Sequence, residues 1–241
     1  EHRAQPLVLS LTQSTEVGTV YALEELRALV DAAHARGMGV HVDGARIANA
    51  AAALGVGLLE ACGGADVLSL GGTKNGAMLG EAVVVLNPEL SPSVGHDLPY
   101  LRKQAMQLGS KMRYVSAQLT ALLTSTDEAG DPLWLRNARH SNAMATLLRA
   151  ELEPLARDGL LRFTQPTEAN AVFVEMPRTL ADDIRATGTR FYDWKPGTTP
   201  GTVEVRLMCS WDTAASDVAL LAEVARAAAN PLAVEAPAED A

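Results

Sequence analysis

Cysteine is scarce in this chain, as are long apolar runs and clusters of basic residues. Only Cys62 and Cys209 occur in 241 residues, and both stand in apolar surroundings. We expect them to be reduced core residues of a cytoplasmic protein, because a disulfide framework needs more cysteines. No apolar run reaches the length of a membrane span, and no signal-peptide pattern is present. These absences argue against a secreted disulfide-rich protein and against a membrane protein.

The charge distribution argues against nucleic-acid binding. The formal net charge is −9, and lysine and arginine are dispersed along the sequence rather than concentrated in one segment. We also predict no metal site. With 48% apolar residues, the chain can form one large domain or one and a half. It begins at Glu1 and reaches the strand-like segment PLVLSLTQ almost at once, so we expect it to enter partway through a domain.

Short apolar runs alternate with helical patterns in the first half. The patterns predict strands at 7–11, 38–42, 66–70 and 82–86, and helices at 22–36 and 47–54. Gly37 and Gly55 follow the two helical patterns and are typical of helix C-caps. Strands joined through helices by short connections favour an α/β fold with a mostly parallel sheet covered on both faces. Functional residues of such a sheet lie at the carboxyl ends of its strands.

The second half has a different pattern. It predicts long helices at 100–124 and 134–155, followed by strands at 171–176 and 202–210. In the last strand, alternation places Arg206 on the face opposite Val205 and Leu207. We interpret this half as a smaller α+β domain and place the boundary near residue 125. The predicted domains are therefore residues 1–125 and 126–241.

Asp43 and Lys74 each follow a predicted strand of the first domain, in the segments HVDGAR and GGTKNG. A lysine amine can condense with the aldehyde of pyridoxal phosphate (PLP), and a carboxylate can keep the PLP ring nitrogen protonated. The two residues therefore predict a PLP site with Lys74 and Asp43 as catalytic residues. The lysine could instead be an ordinary turn residue, and the aspartate could pair with Arg46. GGTKNG does not match the phosphate-binding P-loop, because asparagine follows the lysine.

Three further residues have both a functional and a structural interpretation. His41 shares a strand face with Asp43 and is a candidate substrate-binding residue, although a histidine in that position is more often a hydrogen-bonded core residue. Arg206 could bind a carboxylate with its planar guanidinium, or it could face solvent on an edge strand. Arg113 belongs to a basic helix, with Arg102, Lys103 and Lys111, that could be a solvated face or could contact a phosphate.

Taken together, these segments resemble the threonine aldolase family, within the PLP-dependent β-eliminating lyase and threonine aldolase group. The resemblance covers nearly all of residues 7–220 and is carried by the segments GTVYALEELRAL, HVDGARIANA, SLGGTKNGAMLGEAVV, LGSKMR, NAVFVE and VRLMCSWDT. It implies an aminotransferase-like fold (PLP fold type I) and an aldolase that cleaves β-hydroxy-α-amino acids into glycine and an aldehyde. It also implies a homotetramer or homodimer with sites at the interface.

The resemblance implies a role for each candidate residue. Lys74 would hold the cofactor, Asp43 would contact its ring nitrogen, and Arg46 would lie against its oxygen or the substrate. Three other residues complete the set: Thr73 as a cofactor contact, Arg113 as a phosphate ligand and Arg206 as the receptor of the substrate carboxylate. The family's phosphate cup and its ring-stacking histidine precede the first strand seen here, and neither is found. A β-elimination lyase and an inactive module that only packs or binds remain the alternative functions.

Overall fold

The computed structural model describes residues 5–87, 89 and 91–229, which form two compact units. Residues up to Glu16 and Val20–His140 make up the first unit, and Val17–Thr19 with the residues from Ser141 onward make up the second. The division falls inside a helix, later than the boundary near residue 125 that the sequence suggests. The division into residues 1–125 and 126–241 stays a prediction.

The first unit contains a four-stranded sheet in the order β1-β2-β3-β4. Its strands are β1 (Val8–Thr12), β2 (Gly39–Gly44), β3 (Val67–Gly71) and β4 (Glu81–Val85). The pairs β1–β2 and β2–β3 are parallel, as expected for strands joined through helices. β4 is antiparallel to β3, because a short turn rather than a helical crossover joins them. The sheet is therefore mostly parallel, as predicted.

The helices of this unit are α1 (Leu23–His34), α2 (Ile47–Leu54), α3 (Ser91–Met106), α4 (Arg113–Thr124) and the start of α5 (Leu133–Arg157). Gly55 ends α2 in the left-handed conformation at φ +70°, as its position predicts. The expected single helix at 100–124 is wrong, because Gln107 and Lys111 have positive φ angles and separate α3 from α4. Lys103 and Arg113 therefore lie on different helices.

A hydrophobic core covers one face of this sheet. Val40 and Val42 of β2 and Leu68 of β3 pack with Leu26 of α1 and Ile47 of α2, and all five are nearly inaccessible to solvent. The opposite face is partly open, since Val8 and Val83 are 59% and 60% exposed. The expectation of a sheet covered on both faces is therefore wrong for the described residues. Both crossover helices lie on the same side, which leaves the polar side chains of the strands on the open side.

A buried aspartate fixes the amino-terminal ends of the strands. The Asp66 carboxylate accepts hydrogen bonds from the Val40 backbone N–H (2.7 Å), Asn87 Nδ2 (2.6 Å) and the His34 ring (3.0 Å). Burial alone would raise the pKa of Asp66, but the bonds from Asn87, His34 and Val40 outweigh burial and lower it. The charged carboxylate therefore ties β2, α1 and the end of β4 together.

The second unit contains an antiparallel sheet in the order β5-β6-β8-β7. Its elements are the rest of α5, β5 (Arg162–Phe163), β6 (Ala171–Pro177), α6 (Arg178–Ala186), β7 (Tyr192–Pro196), β8 (Thr202–Met208) and α7 (Ala215–Ala229). The sequence predicts β6 and β8 but misses β5 and β7. Val203, Val205 and Leu207 of β8 face the core against helices α5, α6 and α7.

Both cysteines are free and buried, one in each unit. Burial raises the pKa of the Cys62 thiol and that of the Cys209 thiol to about 11. Cys62 Sγ also donates a hydrogen bond to the carbonyl of Leu58. The two thiols are therefore inert core residues, in agreement with the expectation from the sequence.

Glu175 of β6 is a buried carboxylate surrounded by hydrogen-bond donors. It accepts bonds from Thr202 Oγ1 (2.7 Å), from the hydroxyl and backbone N–H of Thr198, from the Thr199 N–H and from Arg162 Nη2. The Thr202 bond opposes the cost of burial, and with the Thr198, Arg162 and Thr199 bonds it lowers the pKa of Glu175 to about 2. The charged form thus holds the β7–β8 connection in place.

We predict that Glu175 makes the stability of the protein sensitive to acid. Because its pKa is lowered from 4.5 to about 2, its stabilising contribution is complete above about pH 4.5 and is lost as the pH falls through about 2. Glu175→Gln should lower the free energy of unfolding at pH 7 by roughly 2 kcal/mol. It should also flatten the pH dependence between these values, as measured by denaturant unfolding. Glu223→Gln, an exposed position on α7, is the control, and equal pH profiles for the two variants would contradict the assignment.

Candidate active site

Polar residues meet at the carboxyl edge of the parallel strands. Thr12 of β1, Asp43 of β2 and Ser69 of β3 are direct neighbours in the strand register. Since Val42 is fully buried in the core, alternation places Asp43 on the open face of the sheet. The three side chains therefore share one face near the ends of adjacent strands, where open α/β sheets bind their ligands.

Backbone hydrogen bonds fix the position of Asp43. Its Oδ1 accepts a bond from the Ala45 N–H at 3.0 Å, and its backbone carbonyl accepts one from the Gln13 N–H at 3.0 Å. Among the described residues the Asp43 carboxylate forms no ion pair, so the alternative pairing with Arg46 is not observed. The half-buried carboxylate keeps Oδ2 available for a ligand.

Lys74 lies just beyond the end of the neighbouring strand. A short 3-10 helix (Thr73–Asn75) follows β3 after Gly72, and the side chains of Thr73 and Lys74 are exposed. Within residues 5–87 and 91–229, the Lys74 amine makes no hydrogen bond and no ion pair. The sheet topology brings this amine to the same edge as Asp43, because β2 and β3 are adjacent and parallel.

His41 has hydrogen-bond partners on both ring nitrogens. Nδ1 lies 2.9 Å from Ser10 Oγ, and Nε2 lies 2.9 Å from Ser69 Oγ. The ring thus bridges β1 and β3 on the open face that also carries Asp43. Its role in substrate binding stays a prediction, and its structural role is to link the middles of three neighbouring strands.

Arg46 caps the start of α2, directly after the turn that follows Asp43, and it is half-buried. Arg113 is the first residue of α4, where it is exposed and lies over the Tyr114 ring at 5.1 Å. The position of Arg113 at the start of a separate helix was not predicted, because the sequence pattern does not show the break between α3 and α4. Their roles toward a cofactor remain predictions.

Arg206 lies in the second unit, on β8. That strand is hydrogen-bonded to β6 on one side and to β7 on the other, so the alternative of an edge-strand arginine is wrong. The guanidinium carbon lies 4.8 Å from the centre of the Trp194 ring, which in turn makes an edge contact with Phe173. Stacking on an indole holds the planar guanidinium in a defined orientation.

Sequence reasoning missed three residues around this edge. Gln13 is fully buried and exchanges two hydrogen bonds with the backbone of Tyr21, which closes the loop after β1. Asn75 and Asn137 form hydrogen bonds between the Lys74 turn and α5. For Asn75, the sequence offers one signal: an asparagine directly follows the lysine that is predicted to be a functional residue.

The chemistry of these side chains fits PLP. An amine without a hydrogen bond or ion pair to the described residues, a carboxylate with an available oxygen and an arginine occur at one sheet edge, as the aldehyde, the ring nitrogen and the ring oxygen of PLP require. No group of three or more His, Cys, Asp or Glu in the described ranges is arranged to hold a metal ion. In the same part of the chain, no helix is both long and apolar enough to cross a bilayer.

The fold is that of PLP-dependent enzymes of fold type I, the aminotransferase-like class. A structure of SPT with PLP matches 94% of this chain and 56% of its own length, at 18% identity and a TM-score of 0.65. At that identity the likeness concerns the fold alone.

The chain belongs to the beta-eliminating lyase family, whose model matches residues 1–178. It is 42% identical over 227 residues to the low specificity L-threonine aldolase of Pseudomonas aeruginosa, covering 93% of this chain and 60% of that relative. A Leishmania major threonine aldolase structure shares 29% identity at a TM-score of 0.81, covering 95% of this chain and 63% of that one. The chain thus spans about three fifths of the length of these relatives.

We predict that Gly44, which follows Asp43, tolerates no side chain. A Cβ at this position would lie 2.5 Å from Leu68 Cδ1, 2.9 Å from the Ser69 carbonyl and 3.1 Å from Ile47 Cβ. Gly44→Ala should therefore lower the free energy of unfolding by about 1–3 kcal/mol, as overpacked cores do. Gly57→Ala is the matched control, because a Cβ there meets nothing within 4 Å. Equal stability of the two variants in denaturant unfolding would contradict this prediction.

Proposed function

We propose that this protein is a PLP-dependent aldolase that cleaves β-hydroxy-α-amino acids such as threonine, allo-threonine and phenylserine into glycine and an aldehyde. The observation that carries the proposal is the placement of Asp43 and Lys74 at the ends of adjacent parallel strands. The similarity to enzymes named threonine aldolase supports the substrate class. The activity is proposed for the whole protein, since the chain spans only part of its relatives' length.

Lys74 and Asp43 would hold the cofactor from two sides. When bound, PLP supplies an aldehyde for the amine and a ring that takes up electrons as a bond to the α-carbon breaks. Lys74 would attach through its exposed amine. Asp43, held by the Ala45 N–H through Oδ1, would present its other oxygen to the ring nitrogen and keep a proton there.

The remaining residues would bind and orient. Arg206 would bind the substrate α-carboxylate in a bidentate manner, with its plane fixed by Trp194. Arg46 would lie against the ring oxygen or the substrate, and His41 would support substrate binding from the open face. Thr73 would contact the cofactor and Arg113 its phosphate. Orienting the amino acid so that its Cα–Cβ bond aligns with the ring's π system would speed cleavage.

The proposed setting is the cytoplasm, and the proposed assembly is a homodimer or homotetramer. Two free, buried thiols support a reducing compartment. Exposed apolar side chains support an interface in the first unit. They lie in the β3–β4 turn, on α3 and in the segment that joins α3 to α4, at Met78, Leu79, Tyr100, Leu101, Leu108 and Met112.

A β-elimination lyase is the second candidate, because the family model carries that description. It would use the same lysine and aspartate but would expel a group from the β-carbon instead of cleaving the Cα–Cβ bond. Product analysis separates the two activities. Threonine and phenylserine should yield glycine and an aldehyde, whereas a β-substituted alanine should yield no pyruvate if the aldolase proposal holds.

Lys74→Ala should abolish cofactor attachment and reduce aldol cleavage by at least about 10⁴-fold, the scale of losing a group that acts in the chemical step. Visible absorbance with added PLP, before and after borohydride, and glycine release from phenylserine are the measurements. Arg157→Ala, an exposed cation at the end of α5, is the control. If Lys74→Ala retains both the absorbance and the cleavage rate, Lys74 is not the cofactor lysine.

Asp43→Asn should keep the attachment at Lys74 but reduce cleavage by about 10²- to 10³-fold, because a neutral amide no longer stabilises a protonated ring nitrogen. Peptide mass analysis after borohydride reduction checks the attachment, and the rate of aldehyde formation checks cleavage. An unchanged rate would remove Asp43 from the site.

A further inference from the structure

The turn that carries Lys74 is tied to helix α5 by two asparagine side chains. Asn75 Nδ2 donates a hydrogen bond to the Trp134 carbonyl at 3.0 Å, and Asn137 Nδ2 donates one to the Asn75 carbonyl at 2.8 Å. Each amide thus binds the other element's backbone. We call Asn75, Trp134 and Asn137 the amide clamp.

We propose that Asn75 and Asn137 are positioning residues that fix the direction in which Lys74 presents its amine. The inference rests on the proposed function, in which Lys74 holds the cofactor. It adds two residues that would act through the backbone of the turn and not by contact with the cofactor or the substrate.

Burial restricts the movement of Asn75 more than that of its neighbour Lys74. Asn75 is 5% exposed, whereas the preceding Lys74 is exposed. Asn75 and Trp134 line a cavity of only about 20 Å³, so the asparagine is closely packed against α5. Its Oδ1 has no hydrogen-bond partner among the described residues, so its side chain is held through the amide nitrogen.

The rest of the turn is equally constrained. The Gly72 N–H bonds to the Gly80 carbonyl at 2.9 Å, and the Asn75 and Ala77 N–H groups both bond to the Gly72 carbonyl. A Cβ on Gly72 would lie 2.9 Å from Leu119 Cδ2 and 3.0 Å from the Gly80 carbonyl. Lys74 is therefore a flexible side chain on a stiff backbone.

The position of the Lys74 backbone determines where the amine can reach, and hence how fast it can react. A displacement of about 1 Å in a reacting group can cost about 10²-fold in rate, and rigid support of a functional residue prevents such displacement. Asn137 lies in the first turns of helix α5 (Leu133–Arg157). It therefore supports the turn that bears Lys74 from a separate element of the first unit. Alanine at position 137 would remove the bond without weakening the helix, because alanine favours helix more than asparagine does.

The experiment compares the full chain with Asn137→Ala, Asn137→Gln and Arg136→Ala. Amide hydrogen exchange at Asn75 and Ala77 is measured without cofactor, and borohydride-fixed attachment of PLP to Lys74 is followed by peptide mass. Asn137→Ala should accelerate exchange and slow attachment, each about tenfold, which is the scale of one hydrogen bond. Asn137→Gln keeps an amide donor and should restore both rates to within about threefold of wild type. Arg136→Ala, an exposed neighbour that pairs with Asp127, should change neither.

Wild-type rates in Asn137→Ala would overturn the proposal. Faster exchange with an unchanged attachment rate would overturn it too, because the clamp would then hold the turn without placing the amine. Wild-type protein that attaches no PLP at Lys74 would contradict the proposed function instead. In that case the exchange measurement alone decides whether the clamp fixes the turn, since it needs no cofactor.

Discussion

Parallel hydrogen bonding between β2 and β3 brings two distant segments of sequence to one edge of the sheet, and the candidate active site depends on it. The register pairs Asp43 with Ser69, and the turn bearing Lys74 follows two residues after the end of β3. A shift of one residue in either strand would turn Asp43 into the core, because successive side chains point to opposite faces. Asp66 at the amino ends opposes such a shift through its hydrogen bonds, and Gly44 at the carboxyl end opposes it because any side chain moved into its position would meet Leu68 and the Ser69 carbonyl.

The two faces of the β1–β4 sheet differ in composition and in role: one is apolar and packs against helices, and the other is polar. One face packs against α1 and α2 through Val40, Val42 and Leu68, and the burial of these apolar side chains stabilises the first unit. The other carries Ser10, His41 and Ser69 in a hydrogen-bonded row that links three strands, with Asp43 at its end. Polar side chains on that face reduce the free energy of unfolding only slightly, because they remain partly solvated and hydrogen-bonded to each other.

Much of the fold could be predicted from the sequence, because apolar periodicity and helix-ending glycines are local signals. The strands around Val42, Leu68 and Val205 follow from such patterns, and so does the helix that ends at Gly55. The break between α3 and α4 could not be predicted, because Gln107 and Lys111 adopt positive φ without being glycine. β7 was missed because Tyr192–Pro196 is mostly exposed and lacks an apolar face. The pairing of Asn75 with Asn137 depends on a contact between remote segments, which no local pattern encodes.

The burial of Cys62 and Cys209 has a practical consequence for spectroscopy of this molecule. Thiols with a pKa of about 11 present almost no thiolate at neutral pH, and thiolate is the form that reacts with maleimides and other electrophiles. A single cysteine introduced on an exposed surface would therefore be labelled by a fluorophore or spin label, while Cys62 and Cys209 would remain almost unlabelled. Distances and motions could then be recorded in the native protein without removing either natural sulfur atom.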